Sequence, residues 1–154
     1  MKKFTKSLIA VVALLVVQLS LCSIVSAETI ANDNIPKLAK LTQISPNQIE
    51  ITYDRDVDVS LGIKATNYWV QDLVNKIPEG IASLGKDDKV NNKNSLTENQ
   101  VKIEAKEDSQ RTFVITFARD IPRGAEYKLI ICYVTVPGAP PYSGDNGMMN
   151  FVGK

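Results

Sequence analysis

The 154-residue sequence contains no histidine. That absence excludes Ser-His-Asp and Cys-His nucleophilic catalysis. It also removes the histidine-containing zinc and iron sites. Cysteine is nearly as scarce, at Cys22 and Cys132. Cys22 lies in an N-terminal segment expected to be removed, so the remainder can form neither an intramolecular disulfide nor a thiolate cluster. Tryptophan occurs once, as Trp69. Beyond the N-terminal segment there is no long helical periodicity, no internal repeat and no low-complexity tract. No basic stripe is present either. Chemistry is left to carboxylates, lysine, tyrosine and serine.

What is present begins with an export signal. Met1 to Lys6 is basic, Ser7 to Cys22 is largely apolar, and Val25-Ser26-Ala27 offers small residues at a cleavage site. Cleavage after Ala27 is expected. An uncleaved anchor is the competing reading, since the apolar run is nearly long enough to span a bilayer. A lipoprotein acylated at Cys22 is disfavoured by Leu21, where a small residue is normally required. Residues 28–37 read as a lead-in and 38–154 as one domain. The signal takes three lysines from the eighteen basic residues, leaving fifteen against seventeen acids. That balance gives no reason to expect nucleic acid or anionic membrane as a partner.

Leu38, Leu41 and Ile44 mark a first edge strand, closed by the turn residues Ser45-Pro46-Asn47. Gln48 to Tyr53 alternates with period two and reads as a half-buried strand. Asp54, Asp56 and Asp58 follow at alternate positions. Three acids on an extended backbone can supply part of a calcium shell. The competing reading is a solvated strand end, since no EF-hand glycine is in place. Ser60 to Thr66 has room for a helical turn. Asn67 to Asp72 is a strand dense in aromatics, and Ile81 to Leu84 reads as a short strand. Trp69 belongs in or over the core by its size, with ligand stacking as the alternative.

Residues 85–100 are polar apart from Val90 and Leu96, and read as a long exposed loop. Val101 to Ala105 and Arg111 to Ala118 are strands, the second apolar on both faces as a central strand would be. Ile121 to Val134, IPRGAEYKLIICYV, joins a Pro/Gly turn to the longest apolar run of the domain. Cys132 is expected to be buried there. Two turn clusters follow, then a closing apolar segment from Met148 to Val152. About seven short strands separated by turn signals argue for an all-β sandwich.

The order of these pieces resembles the bacterial immunoglobulin-like domains of the SbsA type, found in Gram-positive surface proteins. The likeness rests on Tyr53 with the acids to Asp58, on Asn67-Tyr68-Trp69-Val70, and on Phe113 to Phe117 followed by Ile121 to Ile131. Gly144 to Met149 is a looser match at the close. The 85–100 insertion and the proline-rich 136–141 segment depart from the family pattern. The resemblance implies a Greek-key sandwich. In such sandwiches a tyrosine near the start of a late strand bonds back over the preceding turn. Tyr127, just after Gly124, is placed for that corner.

A non-enzymatic secreted or surface module is therefore expected, acting in adhesion, envelope structure or protein contact. Its partner would be a protein or a cell-envelope component. The alternative is a small carbohydrate- or ligand-binding module using Trp69, Tyr142, Tyr68 and Tyr133, with Asp145 and Asn146 as polar partners. Paired-carboxylate hydrolysis is the weakest reading, because no cleft is evident. No cofactor is implied apart from the calcium considered at Asp54, Asp56 and Asp58. Neither a sortase signal nor a terminal apolar tail is seen, so covalent wall anchoring is not expected.

Overall fold

The computed structural model describes residues 35–154. The expected signal, its cleavage site and most of the lead-in lie outside the described residues. Among the described residues there are seven strands. They are β1 (Leu38–Ser45), β2 (Gln48–Tyr53), β3 (Tyr68–Asp72), β4 (Val101–Ala105), β5 (Thr112–Phe117), β6 (Glu126–Cys132) and β7 (Asp145–Val152). A one-turn helix, α1 (Val59–Gly62), and a 3-10 turn (Ala65–Asn67) join β2 to β3.

The strands form two antiparallel sheets, ordered β1-β2-β5-β4 and β3-β6-β7. Alternation decides which side chains face inward. β2 buries Ile49, Ile51 and Tyr53 and leaves Gln48, Glu50 and Thr52 half-buried. β5 buries Phe113, Ile115 and Phe117 in the same rhythm. From the other sheet Tyr68, Val70, Tyr127, Leu129 and Ile131 complete one shared core. The two sheets therefore pack face to face as a sandwich. Each fully buried Ile, Leu, Val or Phe contributes roughly 1.5–3 kcal/mol by leaving water.

α1 closes one end of this core. Asp58 caps it by accepting from the Ser60 amide at 2.9 Å. Gly62 lies on the Phe113 ring, where an added Cβ would come within 2.6 Å of Phe113 Cζ. Gly62 also supplies a buried acceptor. Tyr68 Oη donates to its carbonyl at 2.5 Å, and the Tyr53 hydroxyl lies 2.8 Å from Tyr68 Oη. Tyr68 has one proton to give, so Tyr53 is the donor in that second bond.

β6 is apolar on both faces because both are covered. Leu129 and Ile131 face the shared core, while Ile130 and Cys132 form a second cluster with Trp69 and Leu84. Cys132 is thus buried, though outside the main core, and burial raises its thiol pKa.

One expectation needs correction in the segment 73–100. Ile81 to Leu84 is not a strand; it makes a single parallel bridge, Gln71 to Leu84. The 85–100 segment is the exposed polar loop expected over most of its length, but it is tied to the sheet at Leu96. Together with Ser83 and Leu84, Leu96 lies along the outer edge of β3 and covers it. The Leu96 amide donates to the Tyr68 carbonyl at 2.8 Å, and the Asp72 amide to the Leu84 carbonyl at 2.9 Å. Leu84 and Leu96 are fully buried. An uncovered edge strand invites pairing with other chains, and this segment removes that liability.

Candidate functional site

The sequence candidates separate into three groups in space. The first is the acid run after β2. Asp54 accepts from Arg55 and from the Lys37 amide, and the side-chain bond to Arg55 leads in holding its carboxyl below the usual range. Asp56 pairs with Arg111 at 2.5 Å. Asp58 is taken up by Ser60, whose hydroxyl is the main reason its pKa is lowered. Each carboxylate already has a protein partner. Among the described residues no group of three or more His, Cys, Asp or Glu comes together in a way that could hold a metal ion.

The second group is the turn into β6. Gly124 has φ of +74°, the left-handed conformation that glycine adopts without strain. Its amide donates to the Gly153 carbonyl at 2.9 Å. Tyr127 is buried, but its hydroxyl does not return over the Pro122–Gly124 turn. It donates to the Glu79 carbonyl at 3.4 Å, near the outer limit of a hydrogen bond. Burial raises its pKa despite the nearby Ile81 amide. The residue ties β6 to the 76–82 segment and forms no corner on its own turn. The reason is the position of Gly80, which lets that segment pass directly over the phenol.

Residue 72, which sequence reasoning passed over, organises that same segment. Asp72 is buried, and burial alone would raise its pKa. Hydrogen bonds from the Val74, Asn75 and Glu79 amides and from Asn75 Nδ2 outweigh burial and hold it below the usual range. An aspartate two residues before the first amide it accepts is an Asx-type signal that could have been read.

The aromatic candidates make the third group, at the end of the sandwich that carries α1. Trp69 is fully buried, and its indole N–H donates to the Asn91 carbonyl and to Asn94 Oδ1, both at 3.0 Å. Tyr68 is interior as well. A ligand could stack on neither without moving the covering segment. Tyr133 is different. It is 36% exposed, and its ring meets Trp69 edge-on at 6.0 Å. Its φ is +68°, uncommon for a bulky residue and costing on the order of 1–3 kcal/mol.

A bulge explains how Tyr133 is aimed. β6 and β7 pair Ile131 with Gly147 but Cys132 with Asp145, leaving Asn146 as the extra residue. Asn146 turns inward and is fully buried. Its Oδ1 accepts from the Val134 amide at 2.9 Å, and its Nδ2 donates to the carbonyls of Pro36 and Val134. The Asn146 amide is therefore consumed in holding loop 133–144. Asp145 accepts from the Gly147 amide at 2.6 Å. Tyr142 is half-buried and donates to the Asp145 carbonyl at 3.2 Å.

Tyr133 sits between two adjoining hollows. One, of about 510 Å³, is lined by Lys64, Thr66, Asn67, Asn92, Ser95 and Tyr133. The other, of about 330 Å³, shares Lys64, Asn67 and Tyr133 and extends to Tyr142. The opposite end has a hollow of about 540 Å³ between residues 78–82 and Phe117 to Arg119. No sequence candidate lines that one.

These features define an all-β sandwich with one loop end built around an exposed tyrosine. No protein-family model matches the chain, and no curated protein matches it. Solved structures do. The S-layer protein rSbsC(31-844) aligns with 76% of this chain at 13% identity and a TM-score of 0.50, over 13% of its own length. The N-terminal part of the bacterial S-layer protein SbsC aligns with 76% of this chain at 13% identity and a TM-score of 0.48, over 23% of its own length. This chain thus spans less than a quarter of either structure. At that identity the likeness is one of fold.

Proposed function

We propose that this chain is a non-enzymatic immunoglobulin-like module working at a bacterial cell surface, in envelope structure or adhesion. Strand order carries the immunoglobulin-like part of the reading. In an immunoglobulin constant-type sandwich one sheet runs A-B-E-D and the other C-F-G. With β1 to β7 taken as A to G, the observed orders β1-β2-β5-β4 and β3-β6-β7 are those two sheets. The chain changes sheets between β2 and β3, between β3 and β4, and between β5 and β6, as a Greek key requires. The fold likeness to an S-layer protein agrees with this placement, although the structures found are SbsC fragments and do not single out the SbsA type. The expected export signal agrees as well.

The test is surface shaving. Intact cells expressing the full chain would be treated with an external protease, and the chain followed by immunoblot. Loss of the chain with a cytoplasmic control intact is the expected result. A chain that stays protected until the cells are lysed would overturn the reading.

A further inference from the structure

We propose that the loop end around Tyr133 is an oligosaccharide-binding site. It deepens the surface-module reading by assigning a ligand class to one end of the fold. The two hollows meet at Tyr133 and share Lys64 and Asn67. Hydroxyls and amides from Ser60, Thr66, Asn92, Ser95 and Thr135 line them beside the two tyrosine rings, the larger hollow more polar and the smaller more apolar. Such groups both donate and accept, as sugar hydroxyls do. Their sizes fall within the ~300–1,000 Å³ of small-molecule sites.

Other ligand classes fit this lining less well. Aliphatic side chains are confined to Leu61, Ala139 and Pro141 in the smaller hollow, so the larger one offers an apolar ligand little. Lys64 is the single cation of both hollows, too few for a nucleic acid backbone. The single carboxylate, Asp58, is already occupied by Ser60. A pyranose ring offers a C–H face to an aromatic and hydroxyls at its rim. Tyr133 and Tyr142 supply aromatic faces, and the polar walls supply the rim. Lys64 favours a sugar carrying a carboxylate.

Tyr133 is held for such use. Its amide donates to the Gly144 carbonyl at 3.0 Å, and Trp69 backs its ring. Trp69 in turn anchors Asn91 and Asn94, which carry the 91–95 wall of the site. The buried tryptophan thus supports the platform from behind. A left-handed, part-exposed tyrosine between two hollows persists only where the surrounding structure fixes it.

The experiment is calorimetric titration of the full chain with chitotetraose and with a hyaluronan tetrasaccharide, alongside co-sedimentation with purified bacterial sacculi. The variant is Tyr133→Asn, because asparagine tolerates positive φ. Saturable binding to at least one of these, weakened about tenfold in the variant while its melting temperature holds, is expected. The free oligosaccharides separate a general sugar site from one that needs the assembled wall. No binding by the unmodified chain to any of the three would overturn the proposal. So would a Tyr133→Asn variant that binds as tightly as the parent. Sugar binding by a chain that resists surface shaving would sink the surface reading alone. A shaved chain that binds no sugar would sink only the present proposal.

Discussion

Asn146 makes three hydrogen bonds from a position with no exposed surface. It joins the β7 bulge to Val134 and to Pro36, so one side chain fixes the loop end and the entry into β1. Replacing it with alanine strands the Val134 amide, and an unmade bond at a buried group costs about 1–3 kcal/mol. Asn146→Ala should lower unfolding stability by about 2 kcal/mol, read from the urea midpoint. Asn146→Asp should fall at least as far, since two carbonyls would then face a carboxylate. An unchanged midpoint in both variants would show that the clamp is not needed. The buried pair Tyr53 and Tyr68 makes a second claim at this scale. Burial raises both phenol pKa values above the ordinary 10. An acid whose folded pKa is raised adds stability below its unfolded pKa and loses it as pH climbs above. Stability should therefore hold up to about pH 10 and fall beyond it. Tyr53→Phe should be less stable by about 1 kcal/mol at neutral pH but fall less steeply above pH 10. Equal alkaline slopes for variant and parent would refute the assignment.

Among the elements, the β4–β5 hairpin carries avoidable strain. Glu107 and Asp108 occupy its turn with φ of 47° and 60°. The Ser109 amide closes it onto the Lys106 carbonyl at 2.8 Å. Two successive positive φ values mark a type I′ turn, for which Asn-Gly is the preferred pair. Glu107→Asn with Asp108→Gly should raise stability by about 1 kcal/mol, seen as a higher melting temperature. A lower melting temperature would mean that the turn is held by its charges rather than strained. Elements of this kind were unevenly legible. Gln48 to Tyr53 and Thr112 to Phe117 declare themselves, because burial on one face imposes period two on the sequence. The attachment of the 83–100 segment did not, because it runs through backbone bonds to β3 and the two buried leucines Leu84 and Leu96 rather than through any periodicity. Trp69 pointed to that cover by its size, but its partners Asn91 and Asn94 lie too far along the chain for spacing to reveal them.

At the scale of the whole molecule, an all-β sandwich was legible from the count of short strands and turns. Tyr133 as the exposed member of the aromatic set was not. Its exposure depends on a one-residue bulge in β7, and register of that kind is decided across strands. The partners of the acid run were hidden for a related reason. Asp54, Asp56 and Asp58 share a spacing, yet each is drawn to a different element: Arg55 and Lys37, Arg111 ahead of β5, and the first turn of α1. A divalent ion stabilises a fold by binding it in preference to the unfolded chain. Here it would have to displace those partners before gaining ligands. Millimolar calcium should therefore leave the melting temperature unchanged, and Asp56→Asn should alter it only slightly, since an exposed Arg–Asp pair contributes about 0–1 kcal/mol. A calcium-dependent rise that Asp54→Asn removes would overturn this, and would show that the acids regroup around an ion once one is offered.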